Sequence, residues 1–87
     1  MASYVLTFAK SARKELEKLP PQTVERIFSK IEALVTNPRP AGCQKLRGNN
    51  LLWRIRIGDY RVLYSIDDRA HVVDISAIGH RREIYRD

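Results

Sequence analysis

The chemistry-bearing residues of this 87-residue chain gather in two places. One is the closing segment "AIGHRREIYRD", where His80, Arg81, Arg82 and Tyr85 crowd together; the other is the pair of runs "LLWRIRI" and "YRVLYSI", which carry Arg54, Arg56 and Arg61. Histidine moves protons near neutral pH, arginine stabilises the charge that builds on a phosphorane, and tyrosine stacks on a nucleobase. Together these are the needs of metal-free RNA cleavage by attack of a 2′-oxygen on the neighbouring phosphorus. The plainer alternative is a solvated tail and a solvated sheet face, the ordinary fate of charged residues.

Composition narrows the field. Sixteen Lys and Arg against ten Asp and Glu leave a formal charge of +6, and a 44% hydrophobic content is too high for a disordered basic tail. The chain should fold as a single domain, residues 1–87, and attract polyanions. One cysteine, Cys43, allows no internal disulfide, which fits a reducing cytoplasm. The apolar stretch at the N-terminus is too short for a signal peptide, and none of the chain has the run needed to span a bilayer, so a soluble cytoplasmic protein without membrane contact is expected. No Cys/His spacing suggests zinc, no glycine-rich loop precedes a helix, and carboxylates near the arginines are limited to Asp74. Neither metal nor cofactor is therefore expected. His71, beside a turn, and the turn acids Asp67 and Asp68 read as structural.

The elements that must position these groups follow from periodicity. Tyr4 to Phe8 reads as a strand. Ala12, Leu16 and Leu19 recur at helical spacing up to Pro20-Pro21, and Val24, Ile27, Phe28, Ile31, Leu34 and Val35 do so up to Asn37-Pro38. So tight a link predicts an antiparallel helix pair. A connecting stretch with a short strand near Lys45 to Arg47 precedes two alternating strands joined at Gly58-Asp59, a dipeptide suited to a primed hairpin turn, and "HVVDISAIG" makes the last strand. The fold class is α+β: a β-α-α-β-β-β sandwich with a helix hairpin on one face of a mainly antiparallel sheet.

Strand alternation then places the arginines. With a two-residue turn, Ile57 opposes Tyr60, Ile55 opposes Val62, and Arg56 stands directly opposite Arg61 on the other surface, with Arg54 two positions along. Like charges so placed destabilise a sheet unless an anion lies between them, and guanidinium forks match phosphate oxygens in pairs. Gly79 permits a bend that would carry His80, Arg81 and Arg82 to the rim of the same face.

In "FAKSARKELEKLP", "NPRPAGCQKLRGN", "WRIRIGDYRVLYSI" and "ISAIGHRREIYRD", taken in order, the chain resembles the RelE/ParE superfamily of toxins from type II toxin–antitoxin systems, and the RelE branch most closely. The resemblance covers nearly the whole chain. It implies a layout like that of the compact microbial ribonucleases and a metal-free messenger endoribonuclease acting in the 70S ribosomal A site. It also implies a small cognate antitoxin, whose complex with the toxin binds operator DNA. Arg54, Arg56, Arg61, Arg81 and Tyr85 fall at positions of the family's motif; Lys45, Arg47 and Arg82 are expected to add contacts to the RNA backbone. Some members carry Lys on the first hairpin strand, whereas a guanidinium stays protonated and makes a poor base, so proton transfer is expected of His80, with Tyr85 next. Two other functions stay open at this point: gyrase inhibition in the manner of the ParE branch, and RNA binding without catalysis.

Overall fold

The computed structural model describes residues 3–46, 48 and 51–80. Strand β1 (Val5–Phe8) is followed by α1 (Lys10–Lys18) and α2 (Pro21–Ala33), then by β2 (Gln44–Lys45), β3 (Trp53–Ile57), β4 (Tyr60–Asp67) and β5 (Val72–His80). The five strands form one sheet in the order β1-β5-β4-β3-β2, antiparallel except where β1 runs parallel to β5. The expected α+β arrangement is present, with both helices packed on the sheet.

Local chemistry sets the helix ends. Leu19 precedes a proline and takes up an extended conformation (φ −89°, ψ 153°), which stops α1. Pro21 occupies the first position of α2, where its missing N–H costs nothing. Helix α2 ends at Ala33, short of the expected Val35, because the chain turns over 34–36 before Pro38.

One face of the sheet carries Ile55, Ile57, Val62, Tyr64, Val73, Ile75 and Ile78, all buried against Ala12 of α1 and Ile27, Ile31 and Leu34 of the α2 region. Ala12 has no exposed surface, and its small side chain lets α1 lie close over β5. A fully buried isoleucine such as Ile31 contributes about 1.5–3 kcal/mol through burial. Tyr64 is the largest fully buried side chain, and its hydroxyl donates to the Pro38 carbonyl oxygen at 2.7 Å, tying the end of the helical layer to β4. Burial pushes the Tyr64 phenol well above its usual range. Tyr64→Phe should therefore lower stability by about 1–3 kcal/mol, the cost of an orphaned buried carbonyl, with no loss of packing volume; urea unfolding midpoints at constant m-value would measure it.

At the same end of the sheet Asp68 accepts from Arg39 (2.9 and 3.3 Å) and from the Tyr4 hydroxyl (2.7 Å). The Arg39 guanidinium, and after it Tyr4, hold the Asp68 carboxyl below the usual carboxylate range. A depressed folded-state value means stability that is present above the unfolded-state value and lost as pH falls through the folded one. The cluster is solvent-exposed, so its contribution is small.

Among the described residues, no helix is long and apolar enough to cross a membrane.

Candidate functional site

Gly58 makes the site's central hairpin possible. Its φ of +61°, followed by Asp59 at negative φ, has the φ signs of a type II′ turn, whose twist matches the flanking strands. The β3–β4 register is the expected one: Ile57 pairs with Tyr60, Ile55 with Val62, and Arg56 with Arg61, while Arg54 lies opposite Leu63. On β4's other side, Arg61 neighbours Gly79 and Leu63 neighbours Ala77. The surface away from the helices thus has a row Arg56–Arg61–Gly79, in which the glycine offers no side chain to crowd Arg61.

The three arginines are not equivalent. Arg56 is exposed, whereas Arg54 and Arg61 each keep only 5% of their surface accessible. That figure excludes a freely solvated face for these two and describes guanidinium groups held in place by their surroundings. Arg54 donates from Nη2 to the Gln44 side-chain oxygen, across the β2–β3 pair. Held donors suit the binding of an anion whose charge grows during reaction, because little reorganisation is needed when it does. An incoming polyanion meets Arg56 first, and full access to Arg54 and Arg61 requires side-chain movement.

Two expected members stand elsewhere. His80 continues β5 rather than leaving it after a bend at Gly79, and it pairs with Tyr60. Its ring meets the Tyr60 ring edge-on at 5.7 Å, so His80 lies on the side of the sheet that carries Tyr60, Val62 and Ile78, not on that of Arg56 and Arg61. The reason is a bulge: Leu63 pairs with Ala77 but Tyr64 with Ile75, so Ser76 is an extra residue that reverses the alternation of everything after it. Lys45 pairs with Trp53 and sets its Nζ 5.5 Å from the centre of that ring, while Arg39 approaches the same ring at 5.1 Å. It therefore shares Trp53's face and is not brought to the three arginines. Gln44, unmarked by its sequence context, takes the place beside Arg54. Arg47, Arg81, Arg82 and Tyr85 lie outside the described residues.

No group of three or more His, Cys, Asp or Glu side chains with the makings of a metal site occurs among the described residues. The assembled groups are cations and amide donors. Their chemistry is recognition of phosphate oxygens and stabilisation of charge that develops on them.

A family profile described as ParE toxin of type II toxin–antitoxin system, parDE, matches residues 6–85. Toxin RelG of Mycobacterium tuberculosis is 34% identical over 84 residues, covering 95% of this chain and 97% of that protein. The mRNA interferase toxin RelE of Escherichia coli is 31% identical over 87 residues, covering 95% and 90%. Among solved structures, the archaeal RelE–RelB complex from Pyrococcus horikoshii OT3 has a chain that superposes with a TM-score of 0.81 at 30% identity, covering 93% of this chain and 98% of its own.

Proposed function

The chain belongs to the RelE/ParE superfamily of type II toxin–antitoxin toxins, and from that premise we propose that it is the toxin of such a pair, an endoribonuclease that stops translation by cutting messenger RNA in the ribosomal A site. The observation that carries this reading is the Arg56–Arg61 row with Arg54 beside it: three guanidinium groups brought to one sheet face, two of them held by their surroundings, whose forked donors match phosphate oxygens. The RelE names of the relatives support messenger cleavage over gyrase inhibition.

In the proposed reaction the 2′-oxygen loses its proton and attacks the adjacent phosphorus, a 2′,3′-cyclic phosphate forms, and the bond to the 5′-oxygen breaks, with Arg81 assisting that oxygen as it leaves and solvent supplying the proton that makes it a 5′-hydroxyl. Arg61 and Arg81 stabilise the charge on the phosphoryl oxygens. Arg54 and Arg56 hold the backbone, and Arg47 and Arg82 extend that grip. Tyr85 accepts the proton from the 2′-hydroxyl. Because His80 stands across the sheet from Arg61, its part is to pack on Tyr60 rather than to transfer a proton. No cofactor or metal takes part. Holding the 2′-oxygen in line with the phosphorus contributes about 7–11 kcal/mol, and the ribosome's decoding site supplies that alignment. Outside the ribosome the cytoplasmic toxin is held by a small cognate antitoxin, and the pair binds operator DNA.

The test is toeprint mapping of messenger ends on purified, programmed ribosomes. New ends inside the A-site codon that still form in EDTA, on complexes stabilised independently of free magnesium, are the expected result. Intact messenger together with gyrase-dependent DNA breaks would select the ParE-like activity instead. RNA binding with no cleavage of any kind would leave only a recognition module.

A further inference from the structure

Beyond the arginine face, a second set of cations faces the flank of the sheet. Strand β2 pairs with Trp53 and Arg54, so past Arg54 the outer flank of β3 has no neighbouring strand among the described residues. A cleft of about 520 Å³ opens there between Lys30 of α2, the segment around Gly42 and Gln44, and β3 at Arg54 and Arg56. A second cleft of about 450 Å³, between Arg26 and Lys30 on one side and Arg56 and Gly58 on the other, shares Lys30 and Arg56 with the first. The two therefore form one groove along α2.

Its walls carry charge in two rows. Arg26 and Lys30 lie one turn apart on the helix, about 6 Å along its axis. Arg54 and Arg56 lie two residues apart on the strand, about 7 Å. Among the described residues, Arg26, Lys30 and Arg56 have no ion-pair partner, although Glu25 also reaches the groove. Like charges four apart on a helix repel, so the arrangement has no structural return by itself. The hairpin turn lies beside one of them: the Arg26 guanidinium is 3.5 Å from where a β-carbon on Gly58 would be, an ordinary contact distance.

We propose that this groove carries the messenger strand as it passes the cleavage face, with Arg26 and Lys30 gripping its phosphates from the helix and Arg56 from the strand. The proposal rests on the reading of the chain as a ribonuclease and adds a binding track to it. Two features favour RNA over a protein segment. A partner helix anchors on large apolar side chains, but Ile55 and Ile57, which reach the groove, are buried in the core, and the rest of its apolar lining is the small Ala33, Pro40 and Ala41. An added peptide strand needs a row of open backbone groups, and only Ile55–Ile57 of β3 lie beyond β2.

The experiment uses the full chain with Arg26 and Lys30 both replaced by alanine, a change that suits exposed helical positions. Ribosomes programmed with messenger are titrated with wild type and variant at several salt concentrations, and single-turnover cleavage is followed. The variant should need more toxin for half-saturation, and its log–log salt slope should flatten by about 1.4, roughly 0.7 for each phosphate no longer neutralised. The difference should disappear on messengers trimmed close to the cut, because the strand in the groove is then missing. Equal half-saturation and slope for both proteins would overturn the proposal. So would a difference that persists on every trimmed messenger, which would assign the groove to ribosomal RNA, or a loss confined to antitoxin affinity. Failure of the wild type itself to cut would sink the ribonuclease reading, and this track with it, whatever the variant does.

Discussion

Arg61→Ala should lower the saturated single-turnover rate of messenger cleavage by about 10²–10³, the loss expected when one donor to a developing oxyanion is removed. Arg61 sits in the middle of the row, with Arg56 on one side and Gly79 on the other, and is almost wholly covered. Once the side chains that cover it have moved aside for the substrate, the Arg61 guanidinium faces the phosphoryl oxygens as charge builds on them, and alanine leaves that charge unmatched. Arg61→Lys keeps the charge and loses the two-pronged donor geometry, so its rate should fall between the two. Toeprint band intensity against time, at toxin concentrations that saturate the ribosome, measures all three. Rates within a few-fold of wild type for Arg61→Ala would place the chemistry elsewhere on the protein.

The second large effect separates Tyr85 from His80. Tyr85→Phe should cost about 10²–10⁴ in the same rate, the range for losing a proton-transfer group, and should abolish the rise in rate with pH that phenol ionisation gives the wild type. The sign follows from the chemistry: a proton acceptor works in its deprotonated form, so activity climbs as pH approaches its pKa from below. His80→Gln should stay within a few-fold of wild type with an unchanged pH profile. Its cost should fall on stability instead, about 0.5–1.5 kcal/mol for removing the edge-on ring packing against Tyr60. A His80→Gln protein that folds normally but loses the acidic limb of the profile would return the histidine to the mechanism.

His80 also marks the limit of what strand alternation reveals. The β3–β4 hairpin was legible because both strands alternate and Gly58-Asp59 sets the turn, so Arg56 opposite Arg61 follows by counting. The helices were legible from the spacing of Leu16, Ile27 and Ile31, and their boundary from Pro20-Pro21. The extra residue at Ser76 was not legible: nothing in "VVDISAIGH" distinguishes a bulge from a regular strand, yet it decides which face His80 occupies. A shift of one position had the same effect at β2, where the strand is Gln44–Lys45 rather than 45–47, so glutamine and not lysine joins Arg54. Arg26 and Lys30 are not among the residues that the sequence singles out. Their relation to Arg56 depends on which flank of α2 lies along β3, and helical periodicity carries no such long-range information.

The bulge in β5 also governs how relatives are aligned. Pairing the residues of two homologous strands column by column assumes that each column belongs to one face. Ser76 makes that assumption fail for any relative lacking the extra residue: if the match is anchored at Val73 and carried forward without a gap, Ile78 and His80 are set against residues of the opposite surface. Anchoring at Gly79 instead, the neighbour of Arg61, keeps the end of the strand in phase and moves the discrepancy back to the bulge. The same parity governs grafting. When the donor supplies the C-terminal part, a junction before position 76 inherits the donor's count, whereas one beyond residue 80 keeps both this chain's extra residue and its Tyr60–His80 pairing.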